Sequence, residues 1–150
     1  MGQEELMKKR MIRARIFASI TIIALIVFIA LYVDAMRRIQ ETYRRQYITE
    51  MGHLSRDISY YLEAEGDHEL RYRMIISDVS CANSYLFLLD DHEKQQITIN
   101  EIRTCLVKYP EQMSGKMKEL QTAVDDIIAE LDKGYKEADE LVDSINKKGH

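Results

Sequence analysis

Two Glu-x-x-His pairs have the spacing in this 150-residue sequence that comes nearest to catalytic chemistry: Glu50 with His53, and Glu65 with His68. Residues three apart share a helix face, and di-iron carboxylate bundles take such pairs from two facing helices, with further glutamates from the others. Here both pairs fall on one stretch, fifteen residues apart. That is about 22 Å of helix at ~1.5 Å per residue. The second pair also straddles Gly66-Asp67, where a helix is predicted to end. No shared metal centre is expected. His92, beside Asp90, Asp91 and Glu93, offers weak ligands for a divalent ion, but the group reads better as a solvated loop. No glycine-rich phosphate loop, nucleophile elbow or Cys-x-x-Cys occurs. The expectation is a non-enzyme without a cofactor.

Two cysteines are the next candidates. In an antiparallel hairpin of the second and third helices, residues at equal height have numbers that average to the loop centre. Cys81 and Cys105 average 93, inside a polar loop predicted at Asp90 to Gln96. They are expected at one height on neighbouring helices, where a disulfide forms if the compartment oxidises. Otherwise they serve as two small thiols in helix packing.

The strongest of the elements that must position these residues is apolar. Ile16 to Val33 holds no charge, no Gly and no Pro, and its polar content is Ser19, Thr21 and Tyr32. As helix it is about 27 Å long, close to the ~30 Å hydrocarbon core of a bilayer. It is apolar all round, whereas the core helix of a soluble protein keeps a polar face. Tyr32 suits the interfacial aromatic belt. Residues 16–35 are predicted to be a transmembrane helix. Val33-Asp34-Ala35 would pass as a signal-cleavage site, but the apolar run exceeds the usual ~7–15 residues and the cut would fall at its very edge. An uncleaved signal anchor fits better. A type IV prepilin is excluded, because no Gly at a cut site is followed by a Glu inside the apolar run.

Both flanks of the span are basic. Lys8, Lys9, Arg10, Arg13 and Arg15 precede it; Arg37, Arg38, Arg44 and Arg45 follow, farther from its edge and interleaved with Asp34 and Glu41. The side richer in nearby Lys and Arg tends to stay cytoplasmic. The expected arrangement is single-pass in a cell membrane, with residues 1–15 as a short cytoplasmic tail and residues 36–150 extracytoplasmic. From Asp34 onward the chain carries 16 Lys+Arg against 23 Asp+Glu, a net of −7. That argues against a nucleic-acid partner, since phosphate binding needs a basic face. Asp34 to Arg73 is near neutral with Arg as its base, while the chain from Met74 on is Lys-rich and acidic. An ordinary solvated surface accounts for this; the alternative is that the four trailing arginines lie near lipid headgroups.

The exterior part reads as all-α: a small antiparallel bundle of about four helices continuing from the span. Met36, Ile39, Tyr43, Tyr47, Met51, Leu54, Ile58 and Leu62 recur at steps of three and four. Gly66 and Asp67 then supply a C′ residue and an N-cap. A second helix is expected to bury Leu70, Met74, Ile75, Val79, Ala82, Leu86 and Leu89. Thr98 with Glu101 fits a capping box opening a short third helix through Ile102, Leu106 and Tyr109, although Ile97-Thr98-Ile99 also permits a brief extended stretch. Pro110 sits where a first-turn proline belongs, and Met113, Met117, Leu120, Val124, Ile127 and Leu131 give a fourth helix its buried stripe.

Run unbroken from Pro110 to Lys147, the fourth helix would be about 55 Å long and would meet the membrane. Gly134, a poor helix former, is expected to break it, leaving residues 134–150 as a separate tail helix. Tyr135, Ala138, Leu141, Val142 and Ile145 would then form an uncovered apolar stripe for a protein partner or a second copy. Two functions fit: an anchored interaction or scaffold domain, and an accessory sensory bundle. A basic tail, a span and four helices are similar in outline to the four-helix ligand-binding domains of bacterial chemoreceptors, with no shared motif. A receptor would also need a second span and an output domain, which this sequence does not contain. The expected partners are thus the lipid bilayer and another protein or a second copy; a small-molecule ligand is not specified.

Overall fold

The computed structural model describes residues 2–131 and 133–147. Among these residues the regular elements are six helices: α1 (Gln3–Glu63), α2 (His68–Phe87), α3 (Glu93–Lys108), α4 (Pro110–Ser114), α5 (Met117–Ala129) and α6 (Tyr135–Asp143). Contacts divide the chain into two units, Met1–Ile39 and Gln40–His150.

The first unit is the N-terminal part of α1. Every residue from Gly2 to Ile39 is exposed, including Phe17 at 74% and Phe28 at 67%. Among the described residues one helix, α1, is long and apolar enough to cross a membrane, and none of its apolar window is buried within the protein. The polar content is handled locally: Thr21 Oγ1 donates to the Phe17 carbonyl at 2.9 Å, so its hydroxyl is satisfied inside the helix.

The second unit has its own core. From α1 it takes Tyr47, Met51, Leu54 and Ile58, each at most 1% exposed. These sit at steps of four and three, the spacing that keeps side chains on one helix face. α1 stops at Glu63, and the chain turns through Asp67, which takes left-handed backbone (φ 58°) and caps α2 without a side-chain bond. Aspartate is among the few residues that visit that region readily. α2 and α3 pack as a hairpin, with Tyr72 Oη donating to the Leu106 carbonyl at 2.8 Å far from the connecting loop. Gln40 closes the loop end: its Nε2 donates to the Leu88 carbonyl at 3.2 Å, and its Oε1 accepts from the Asp90 amide at 3.1 Å.

Several expectations need correction. Leu70 and Met74 are 61% and 45% exposed, and Leu62 is 41% exposed; Tyr72 takes the inward position instead. The loop is shorter than expected, because α3 opens at Glu93 with His92 as its N-cap. Thr98 is therefore no cap but a buried residue within α3, and no extended stretch forms around it. Its hydroxyl donates to Asp139 Oδ1 of α6 at 2.6 Å, a tertiary bond that no local pattern reveals.

The fourth helix is divided twice, which raises the helix count from about four to six. Pro110 opens α4 in its first turn, as its fixed φ and missing N–H suit. After a turn at Gly115 and Lys116, α5 buries Met117, Leu120, Ala123, Val124 and Ile127. The chain leaves α5 through extended backbone at Glu130 (φ −150°, ψ 113°) and enters α6 through Gly134 at φ 81°. α6 then packs against α3 and α5.

Candidate functional site

The Glu50–His53 pair proves to be part of a larger polar cluster. Glu50, His53 and Asp57 follow one another at i, i+3 and i+7 on α1, which holds them on one face. His53 Nδ1 lies 3.4 Å from Glu50 Oε2. Asp57 is 4% exposed, wedged in the apolar run between Leu54 and Ile58, and its Oδ1 is 3.5 Å from the adjacent Arg56 Nε. From α2, Asp78 faces it.

Asp78 Oδ2 is buried and no N–H or O–H points at it; its partner is the Asp57 carboxyl, itself an acceptor. Two acceptors make a hydrogen bond when a proton lies between them. Burial first, then the charge and hydrogen bond of Asp57, push the Asp78 carboxyl up to about 6, with Glu50 adding in the same direction and His53 opposing. Burial and a like charge both disfavour the ionised form, so Asp78 keeps its proton into mildly acidic solution. The chemistry of this arrangement is to hold and release a proton. Among the described residues no three His, Cys, Asp or Glu side chains are grouped to hold a metal ion.

The second Glu-x-x-His pair is separated: Glu65 lies in the connector after α1, while His68 opens α2 and packs edge-on against Tyr61 at 5.3 Å between ring centroids. Cys81 and Cys105 are both free thiols. Hairpin arithmetic gives their height but not their direction. Cys81 lies beside, not on, the face of Ile75, Val79, Ala82 and Leu86 and is exposed; Cys105 is 2% exposed in the core. Burial raises both thiols, and the carboxylates of Glu50 and Asp78 raise Cys81 further. With Cys81 facing outward and Cys105 inward, the two sulfurs are not bonded in this arrangement.

The five residues expected as an open partner stripe are covered within the chain. Tyr135 is 8% exposed, Leu141 and Ile145 4%, and Ala138 and Val142 are fully buried. Tyr47 and Tyr135 share a hydroxyl–hydroxyl bond of 2.7 Å, and Gln112 exchanges two bonds with the Asn146 backbone, at 2.8 and 3.2 Å. The break frees α6 to turn back onto α3 and α5, so its amphipathic face fills the core instead of facing outward. The residues flanking the span, Lys8, Lys9, Arg10, Arg13, Arg15, Arg37 and Arg38, are all exposed, and Arg38 pairs with Asp34 at 3.0 Å.

Sequence reading missed Asp57 and Asp78. The signal was present for Asp57: it stands at the i+3 position between Leu54 and Ile58, where a charge interrupts an otherwise apolar face. Asp78 stands between the exposed Ser77 and the buried Val79 on α2 and carries no such mark. Comparison with family models, curated proteins and solved structures returns no match.

Proposed function

We propose that this chain is a membrane-anchored, non-enzymatic helical interaction domain, a small antiparallel bundle held at a bilayer to contact another protein or a second copy of itself. The observation that carries this reading is the apolar window of α1, of which nothing is buried within the protein, beside a second unit whose core is complete without it. An exposed helix that is apolar all round needs an apolar environment, and a bilayer supplies one of matching thickness. The more basic leading flank favours a cytoplasmic N-terminus and an extracytoplasmic bundle.

With the α6 stripe taken into the core, the outward face of α2 is the surface to probe. Leu70, Met74 and Leu88 are exposed there at 61%, 45% and 44%, with the free thiol of Cys81 between them. The test uses the full chain in its membrane. Alkaline extraction is expected to leave it in the pellet, and a thiol-anchored cross-linker at Cys81 is expected to give a discrete higher-mass adduct. Release into the alkaline supernatant removes the anchor; an exclusively monomeric product removes the contact.

A second reading, an accessory sensory bundle, is favoured by the Asp57–Asp78 pair, since a titrating group between two helices gives the bundle something to register. A chemical shift perturbation in the α1–α2 seam on changing pH, without any change in cross-linked partner, separates this reading from the first.

A further inference from the structure

The α1–α2 seam is pinned at both ends and acidic in the middle. At one end Gln40 bonds the Leu88 carbonyl and the Asp90 amide. At the other, Tyr61 packs edge-on against His68 and Tyr72, at 5.3 and 6.0 Å between centroids. Between these lie Asp57, 4% exposed, and the half-buried Asp78, whose Oδ2 is buried without a donor. We propose that the Asp57–Asp78 pair is a proton-operated latch in this seam, closed by one shared proton in mild acid and strained when that proton leaves.

The surrounding charges do not neutralise the pair. Arg56 is the near cation of Asp57, but it is a neighbour in sequence, lies at 3.5 Å through Nε and is half-exposed. His53 opposes the acidity of the cluster, yet its Nδ1 is directed at Glu50. Glu50 adds negative charge from α1, and the Cys81 thiol lies one turn along α2 in the same field. From α5, Asp125 accepts the Ser55 hydroxyl at 2.5 Å and so adds no cation to this side. A proton shared with Asp57 is the remaining way to satisfy the buried Asp78 Oδ2.

The direction of the effect follows from linkage. A carboxyl whose folded value is raised binds a proton more tightly in the folded state than in the unfolded chain, where ~3.9 applies. Its stabilising contribution is complete below that unfolded value and is lost as pH rises through about 6. The seam is therefore tightest in mild acid and loosens toward neutrality, the reverse of a salt-bridged aspartate. The inference stands on the α1–α2 geometry and does not depend on the anchor or on any partner.

The test is thermal melting of the full chain in detergent micelles, followed by tyrosine near-ultraviolet circular dichroism, between about pH 4.5 and pH 7.5. The wild-type midpoint is expected to fall as pH rises, by on the order of 5 °C. Asp78→Asn carries a fixed N–H donor that reproduces the protonated acid at every pH. It is expected to melt at the wild-type acid midpoint throughout, with no slope across this interval. A flat wild-type profile, or a slope retained in Asp78→Asn, overturns the proposal. If that variant does not fold, infrared spectra of the wild type decide. A protonated-carboxyl band that persists at about pH 5.5 and is lost by about pH 7 is expected, and its absence at the lower pH overturns the latch.

Discussion

Gly134 lies so close to α5 that a Cβ built on it would fall 2.3 Å from the Ala123 carbonyl oxygen and 2.8 Å from Ile127 Cγ1. Its φ of 81° lies in the region that side chains disfavour, so conformation and space both require glycine. This contact is what lets the chain reverse between α5 and α6 at no distance from the core. The helix break and the burial of the tail thus have one cause.

Gly134→Ala is accordingly expected to destabilise the fold by about 2–4 kcal/mol, combining positive-φ strain with overpacking against a backbone oxygen that cannot move aside. Chemical denaturation of the full chain in micelles measures this. A loss below about 0.5 kcal/mol, within the range of an ordinary surface change, contradicts the close seating.

The buried Tyr47 hydroxyl gives a second prediction. Burial, and then the neighbouring Tyr135, raise its pKa well above that of a free phenol, so it stays protonated and can donate across the α1–α6 gap. Tyr47→Phe is expected to cost about 1–2 kcal/mol. A double-mutant cycle with Tyr135→Phe should show coupling of about 1 kcal/mol. Additive losses would mean that the two hydroxyls stabilise the fold independently.

The pattern of what could be read in advance follows from what periodicity encodes. Steps of three and four placed Val79, Ala82 and Leu86 on the inward face of α2, because each neighbour reinforces the same stripe. At the start of that helix the pattern allowed two faces, one through Leu70 and Met74 and one through Tyr72, and the hydroxyl bond to Leu106 selects the second. Gly134 marked the break because its backbone cost is a local property. What covers the following stripe is not local, so Tyr135 to Ile145 read as an open surface when they are core. Thr98 shows the same limit: its spacing to Glu101 mimics a cap, while its partner, Asp139, lies 41 residues away. The carboxyl pair was hidden for this reason too, since Asp57 and Asp78 sit on different helices and meet through packing alone.

The cysteines should respond differently to alkylation. In the folded chain without reductant, Cys81 is expected to react and Cys105, at 2% exposure, to be protected until denaturation. The raised Cys81 thiol makes its labelling slow at neutral pH and faster as pH increases, since the thiolate is the nucleophile. Mass spectrometry should count one label on the native chain and two on the unfolded one. Two thiols that resist labelling even after denaturation would reveal a bridge, and with it a movement of α2 that brings Cys81 inward.

The final prediction concerns which way the chain lies in a membrane. Lys8, Lys9, Arg10, Arg13 and Arg15 form an exposed basic run ahead of the apolar span, with Glu4 and Glu5 confined to the first turn of α1. On the trailing side Arg37 and Arg38 come first, and the guanidinium of Arg38 is held 3.0 Å from Asp34. That exposed pair contributes little to stability. Orientation is governed chiefly by the Lys and Arg residues within about 15–20 residues of the span, with acidic groups counting for less, so the two flanks are nearly balanced and the leading one is expected to prevail by a small margin. A reporter active only outside the cytoplasm, fused after His150, should be active. Replacing Lys8, Lys9 and Arg10 with Gln should leave Arg13 and Arg15 facing four trailing arginines and give a mixed population. Adding Arg37→Gln and Arg38→Gln to that triple variant leaves two arginines on each flank and should shift the mixture back toward the original orientation, because it is the difference between the flanks that is sensed. A wild-type fusion active only in the cytoplasm reverses the assignment, whereas a triple variant identical to wild type shows that Arg13 and Arg15 alone set the direction.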